Sequence, residues 1–159
     1  MDTSEFAAGP EAEVWVEDLE PEVCWRLLAR RPVGRVGFIV DGTPVVLPVN
    51  HHVDGTSIVL RTGRSSLLET LCHGARVCFE LDEVDALVET GWSVLVKGRA
   101  AEVTDPFELA DVTRLPLRPW APGPKDHWIR IEPREVTGRS ISRRRHDRDG
   151  HLVPYMPPD

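Results

Sequence analysis

The sequence predicts a mainly β fold, an antiparallel barrel of about six strands with short flanking helices. Two Asp-Gly pairs, Asp41-Gly42 and Asp54-Gly55, lie between runs of apolar residues, and such pairs are typical of tight β-hairpin turns. The strand-like segments follow one another with only short helices between them. The regular strand–helix–strand alternation that would indicate a parallel sheet is missing. Closing the sheet into a barrel leaves it without unpaired edges.

The first half of the chain is predicted to hold one helix followed by paired strands. Pro21 suits the first turn of a helix, because the N–H group that proline lacks has no partner there. Pro32 and Gly34 follow the apolar face and end the helix, which is expected over residues 21–30. Strands are expected over residues 35–40, 44–50 and 57–62.

Longer strands and two further helices are predicted in the second half. The helices are expected over residues 65–71 and 106–114, and an acidic link is expected over residues 82–85. Gly98 interrupts the longest strand, which indicates a β-bulge or a close approach of two backbones. Strands are expected over residues 75–81, 93–103 and 128–136.

Length and composition are those of a single folded domain. A chain of 159 residues with 41% apolar residues can bury one core but not two of ordinary size. We assign residues 19–141 to this domain, with a flexible N-terminal arm at 1–18 and a C-terminal tail at 142–159.

Charge and cysteine content argue against several classes of protein. A net charge of -7 does not suit a broad nucleic-acid surface, which needs basic residues to replace counterions. Cys24, Cys72 and Cys78 fit neither a disulfide framework nor paired zinc ligands, so reduced thiols in a cytoplasmic protein are expected. The acidic N-terminus is unlike a signal peptide, and no apolar run reaches the roughly 18 residues of a membrane span.

One turn carries residue types that bind an anion. Arg61, Thr62, Ser65 and Ser66 bring one guanidinium group and three hydroxyl groups together within six residues. An apolar strand precedes them, and a flat ring could lie against it. The sequence therefore predicts a ligand site at this turn.

Simpler roles for these residues remain open. Arg61 could form an ordinary surface ion pair with a carboxylate such as Glu80 or Asp82. Ser65 and Ser66 could cap a helix, although a helix start also favours anions. The proline-rich loop at residues 119–123 could cover the site or only pack on the barrel.

No metal ligands and no catalytic side chains are predicted. His51 and His52 are adjacent on a strand, so they point to opposite faces, and a solvent-facing pair is expected. No other histidine or cysteine has a partner at zinc-ligand spacing. No serine lies in a nucleophile-elbow pattern, so hydrolysis is not expected.

The order and spacing of five segments resemble those of a known family. These segments are CWRLLARRPVGRVGF, PVVLPVNHHVDGTSIVLRT, ARVCFELDEVD, GWSVLVKGRAAEV and RPWAPGPKDHWIRIEPREVTGR. Together they resemble the pyridoxamine 5'-phosphate oxidase-like, FMN-binding split-barrel proteins, in particular the branch similar to nitroimidazole-resistance proteins and deazaflavin reductases. The resemblance implies a six-stranded, Greek-key split barrel that forms a homodimer with two flavin sites at the subunit interface, each built from both chains.

The resemblance also assigns cofactor-binding residues. The family's phosphate-binding positions correspond to Arg61, Thr62, Ser65 and Ser66. Its strand beside the flavin ring corresponds to Pro48, Val49 and Asn50. Trp92 would reach the ring from the neighbouring region or from the second chain. At the position after the turn where many relatives carry lysine, this chain has Leu67.

The function implied by the resemblance is that of an FMN-binding oxidoreductase acting on a small molecule. A flavin enzyme needs few conspicuous catalytic residues, because the cofactor carries the redox chemistry. Two alternatives stay open. One is a deazaflavin-dependent reductase, and the other is a dimer that binds flavin or haem without catalysis.

Overall fold

Strands dominate the computed structural model, which describes residues 12–64, 70–147 and 149–154. Two helices lie within these ranges, α1 (Pro21–Leu28) and α2 (Pro106–Val112). The strands described are β1 (Glu13–Asp18), β2 (Val33–Val40), β3 (Thr43–Asp54), β4 (Ser57–Thr62), β5 (His73–Asp85), β6 (Thr90–Glu102), β7 (His127–His146) and β8 (Leu152–Pro154). Neither of these helices is long and apolar enough to cross a membrane.

Six of the described strands close into a ring. Their order is β7-β4-β3-β2-β5-β6, and β6 pairs again with β7, with all neighbours antiparallel. This arrangement confirms the mainly β, six-stranded split barrel. The total is eight described strands rather than six, because β1 and β8 pair with β7 outside the ring.

Alternating residues of the ring strands build the core. Phe79 and Leu81 of β5 lie opposite Val96 and Val94 of β6, and all four side chains are buried. Successive residues of a strand point to opposite faces, so this alternation directs one face inward. Burying each such side chain contributes roughly 1.5–3 kcal/mol.

A second, smaller core covers the outer face of β4. The four residues of β4 from Ser57 to Leu60 are all buried, because α2 and the chain after it pack on the outside of the barrel. The side chains of this cluster are Val59, Val103, Val112, Leu117 and Trp128.

Helix α1 closes one end of the barrel. Cys24 and Leu28 are its buried residues, and Leu19 just before the helix donates from its backbone N–H to the carbonyl of Gly138 at 2.9 Å. A Cβ atom on Gly138 would lie 2.6 Å from the Cys24 sulfur, so glycine allows this close packing. The helix ends at Leu28, two residues before the predicted end.

The acidic link predicted at residues 82–85 is wrong, since these residues continue β5. Glu83 pairs with Trp92 and Asp85 pairs with Thr90 of β6. The turn comes later, where the Asp85 carboxylate accepts a hydrogen bond from the Leu87 backbone N–H at 3.0 Å. Pairing with β6 outweighs the low strand propensity of the acidic residues.

Strands also replace parts of the predicted arm and tail. Residues 13–18 form β1 and pair with residues 139–144 of β7, although every β1 side chain is exposed. Strand β7 runs on to His146 and pairs with β8. The reason is that β7 extends beyond the ring, so its two edges offer free backbone groups, and Arg144 pairs with β1 on one edge and with β8 on the other.

The predicted irregularity at Gly98 is confirmed. The register between β6 and β7 shifts between Lys97 and Gly98. A Cβ atom on Gly98 would lie only 2.2 Å from the carbonyl oxygen of Glu132, so the two backbones approach too closely for a side chain. The helix predicted over residues 65–71 falls largely on residues 65–69, which lie outside the described residues.

Candidate functional site

A cavity of about 170 Å³ lies between β3, β4 and the loop that precedes β7. Five of the residues predicted to bind a cofactor line it, namely Pro48, Val49, Asn50, Arg61 and Thr62. The remaining wall consists of Leu60, Leu71, Pro119, Ala121, Lys125 and Ile129. The structure thus brings together two segments that the sequence analysis had assigned separately to a ring and to a phosphate.

Two contacts fix the side chain of Arg61, which is partly buried at the end of β4. Its Nε donates to the backbone carbonyl of Lys125 at 2.8 Å. Its guanidinium carbon lies 4.8 Å from the centre of the Trp128 ring, within the range of a cation–π interaction. The bond to Lys125 uses only Nε, so the two terminal NH₂ groups retain donors for an anion.

The two carboxylates considered as examples of an ion-pair partner for Arg61 both pair with another arginine. Glu80 and Asp82 both pair with Arg35, the former at 3.0 Å from Nε. Burial raises the pKa of Glu80 above its usual range, and the Arg35 charge opposes this effect only in part. These carboxylates therefore serve β2–β5 pairing and leave Arg61 to the cavity.

Asn50 connects β3 to the proline-rich loop. Its Oδ1 accepts a hydrogen bond from the backbone N–H of Trp120 at 2.8 Å, and its Nδ2 donates to the Pro32 carbonyl at 3.4 Å. Pro119 and Ala121, on either side of Trp120, line the cavity. The loop therefore forms a wall of this cavity.

The loop also lies close to the end of β4. Lys125 Nζ donates to the Pro122 carbonyl at 2.9 Å, which closes the loop on itself. A Cβ atom on Gly63 would lie 2.6 Å from the Pro124 carbonyl oxygen. This contact leaves no room for a larger residue unless the loop moves.

The other three predicted cofactor residues either lie outside the described residues or line another cavity. Ser65 and Ser66 lie outside the described residues. Trp92 is partly buried on β6 and lines a different cavity of about 660 Å³, together with Val16 and Val84. A contribution of Trp92 from a second chain stays a prediction.

His51 is buried, which corrects the predicted solvent-facing histidine pair. It is 5% exposed, whereas His52 on the opposite face is partly exposed. His51 Nε2 lies 2.9 Å from the Leu28 carbonyl, and since a carbonyl only accepts, Nε2 carries the proton. Burial lowers the pKa of His51, because the charged ring would be desolvated.

A small group of possible metal ligands lies in the turn between β7 and β8. The ligand atoms of Asp147, Asp149 and His151 are within 4.8 Å of one another and exposed. Asp147 Oδ1 accepts hydrogen bonds from the backbone N–H groups of Asp149 and His151 at 2.9 and 2.8 Å. These hydrogen bonds form a turn, and the turn by itself explains why the three side chains lie close together.

The sequence analysis missed the partners of Arg61 and Asn50. Lys125 is 64 residues from Arg61 along the chain, and Trp120 is 70 residues from Asn50. No local pattern marks such pairs. The only available signal was the proline-rich composition of the loop, which is typical of an ordered connection near a site.

Comparisons with known proteins agree with this fold. Residues 20–140 match the family model described as pyridoxamine 5'-phosphate oxidase, which is most of the chain. The chain belongs to the pyridoxamine 5'-phosphate oxidase family.

Individual relatives extend the comparison to most of each chain. The chain is 37% identical over 139 residues to Rv0080, an uncharacterized protein of Mycobacterium tuberculosis, covering 84% of this chain and 91% of that one. The structure of an FAD binding protein from Mycobacterium smegmatis is 34% identical with a TM-score of 0.66, covering 79% and 99% of the two chains. A protein of unknown function from Corynebacterium diphtheriae is 31% identical with a TM-score of 0.68, covering 79% and 98%.

Proposed function

We propose that the protein binds a flavin nucleotide and acts as an oxidoreductase on a small molecule. The phosphate would lie at Arg61 and Thr62, and the ring beside Pro48, Val49 and Asn50. The observation that carries the proposal is the meeting of these five residues at one cavity. FMN is the expected nucleotide, and the FAD-binding relative from M. smegmatis makes FAD its first competitor in any test.

The side chains at the cavity fit the chemistry of a flavin. Arg61 offers its terminal NH₂ groups to a phosphate, and such charge-assisted hydrogen bonds are short and strong. Pro48 and Val49 provide an apolar surface for a flat ring, and Asn50 stands at the edge of that surface. When bound, the flavin supplies hydride or electron transfer, while this chain supplies binding, orientation and exclusion of water.

The size of the cavity supports a second chain as part of the site. Ligand pockets usually enclose about 300–1,000 Å³. The cavity of about 170 Å³ is well below that range, so one chain provides only part of the space that a flavin needs. We therefore include a homodimer in the proposal, with the second chain, and its Trp92, completing the site.

Apolar residues on β3 support the same assembly. Val46 and Pro48 lie two residues apart and so share one face of the strand. Val46 is 62% exposed, and Ile39 of β2, which lines the same groove, is 55% exposed. The apolar surface thus continues from the cavity along β3, and a second chain resting on it would reach the flavin.

Titration of the purified protein with FMN, FAD and a deazaflavin tests the proposal. We expect a dissociation constant in the micromolar range or below for at least one flavin nucleotide. Arg61→Ala should weaken that binding about 10-fold or more, because it removes hydrogen bonds to a charged phosphate. Quenching of flavin fluorescence or calorimetry would measure both constants.

Arg114→Ala is the matched control for this experiment. Arg114 is 80% exposed at the end of α2 and pairs only loosely with Asp111, at 3.6 Å. The control should bind flavin like the unmodified protein. Equal affinity in the Arg61→Ala variant would remove Arg61 from the site, and absence of flavin binding in the unmodified protein would refute the proposal.

The deazaflavin alternative receives less support. Its longer acidic tail needs a groove of available basic groups, for which Arg64, Arg35 and Lys97 are the candidates in the sequence. Arg35 is paired with Glu80 and Asp82, and Lys97 Nζ lies 3.1 Å from the carboxylate of Glu135. Two of the three charges are thus already compensated within the barrel.

A further inference from the structure

We propose that Trp128 and the carbonyl of Lys125 hold Arg61 in the orientation that binds the flavin phosphate, which makes Trp128 a positioning residue of the site. This inference rests on the proposed function. It adds a residue that does not line the cavity and was not predicted to act there.

The strand register places the two side chains together. Arg61 of β4 lies directly opposite Trp128 of β7, so both project from the same face of the sheet. The guanidinium carbon is 4.8 Å from the ring centre, and Nε donates to the Lys125 carbonyl at 2.8 Å. One face of the guanidinium group is therefore against the indole and one edge is against the loop.

Trp128 is itself buried and packed on several sides. Its side chain is 5% exposed and packs in the cluster that joins α2 to the outer face of β4. Its backbone carbonyl accepts a hydrogen bond from Val103 N–H at 2.8 Å. A ring fixed in this way can define the plane of a guanidinium group that stacks on it.

Pre-orientation matters because arginine is a flexible side chain. A free arginine loses rotamer entropy when it binds an anion, and contacts that order it beforehand reduce this loss. Trp128 and Lys125 contact one face and Nε, so the terminal NH₂ groups point away from them. Those groups form the bidentate donor pair that suits a phosphate.

A purely structural role for Trp128 makes a different prediction. Loss of packing would weaken every ligand that needs the folded cavity, with or without a phosphate. Loss of Arg61 positioning would weaken only the phosphate contribution. FMN and riboflavin share the same ring and differ in the phosphate, so their affinity ratio separates the two roles.

The experiment measures dissociation constants of FMN and riboflavin for the unmodified protein, Trp128→Leu and Trp128→Phe. We expect Trp128→Leu to lower FMN affinity about 3- to 30-fold, the range of a cation–π contact, with riboflavin affinity unchanged. Trp128→Phe should lower the FMN-to-riboflavin affinity ratio less, because phenylalanine binds a cation more weakly than tryptophan.

Val112→Ala serves as the packing control. Val112 is 1% exposed in the same cluster and does not touch Arg61 among the contacts described. It should lower the melting temperature while leaving the affinity ratio unchanged. If Trp128→Leu does not fold, Trp128→Phe alone decides the outcome.

Two results would overturn the inference. One is an equal fold-loss of FMN and riboflavin affinity in the Trp128 variants, and the other is no change in either affinity. If the unmodified protein binds neither compound, the proposed function fails as well. A change in the ratio that is specific to Trp128 supports the inference.

Discussion

Burial gives His51 a titration behaviour that an exposed histidine lacks. Its ring is 5% exposed, packs on Phe79 with 4.7 Å between ring centres, and donates from Nε2 to the Leu28 carbonyl. Within the described residues, Nδ1 has no hydrogen-bond partner. A second proton on this ring would therefore put an unpaired charge inside the barrel.

We predict that the protein loses stability as the pH falls below about 6.5, the ordinary pKa of histidine. The pKa of His51 is lower in the folded state, mainly because of burial, so protons bind preferentially to the unfolded chain below that pH. The contribution of neutral His51 to the free energy of unfolding is fully present above pH 6.5. Below that pH it declines with a slope of at most about 1.4 kcal/mol per pH unit. Urea unfolding between pH 7.5 and 5.0 measures it.

His51→Gln should reduce this slope, because glutamine does not titrate. His73→Gln is the control, since His73 is exposed at the start of β5 and its loss should leave the slope unchanged. An identical slope in the unmodified protein and the His51→Gln variant would contradict the prediction.

The element that shapes the site is the loop at residues 119–125. It is attached to β3 through Asn50 and to β4 through Arg61, so it contacts both strands that line the cavity. Gly123 has a φ of +89°, a conformation that other residues rarely adopt. The conformation of the loop therefore depends on having glycine at position 123.

We predict that Gly123→Ala weakens flavin binding several-fold by displacing the loop. Alanine at positive φ costs about 1–2 kcal/mol, which the loop can relieve by moving. Gly42→Ala is the matched control, because Gly42 has a φ of +78° and an added Cβ there also meets no atom within 4 Å. Both variants should lose similar stability in urea unfolding.

Only Gly123→Ala should change the dissociation constant for the flavin. If both variants bind flavin equally well, the conformation of the loop does not shape the site. If both bind it equally poorly, the effect comes from general destabilisation instead.

On the scale of the whole molecule, the barrel leaves apolar side chains on its outer face. Val46 and Ile39 are more than half exposed on β3 and β2 and line a groove of about 730 Å³. This exposed apolar surface agrees with the proposed dimer, as does the small volume of the candidate cofactor cavity.

We predict that the unmodified protein is a dimer and that Val46→Glu shifts it toward monomer, because a buried unpaired carboxylate opposes association. Flavin affinity should fall together with dimerisation if the second chain completes the site. Light scattering after gel filtration and flavin titration measure the two effects. Phe107→Glu is the control, since Phe107 is 85% exposed on α2, and it should remain dimeric.

A dimeric Val46→Glu variant would place the interface elsewhere. A monomer that retains full flavin affinity would show that one chain suffices for binding.

Local chemistry was sufficient to predict much of the fold from the sequence. The Asp-Gly turns and the glycine at 98 act over a few residues, so they can be recognised without a structure. The same holds for Arg61 and Thr62, whose side chains suit an anion wherever the strand ends. The extension of β5 through Asp85 could not be predicted, because it depends on pairing with β6.

The sequence by itself determined the strand pattern, the barrel and the two segments that meet at the cavity. Only the tertiary structure decided that Lys125 and Trp128 hold Arg61 and that His51 is buried. These contacts join residues far apart in the chain, and they arise when the barrel closes and the loop packs against it. A local sequence pattern cannot show which distant residues will meet, because hydrogen bonding and burial depend on distance in space and not on distance along the chain.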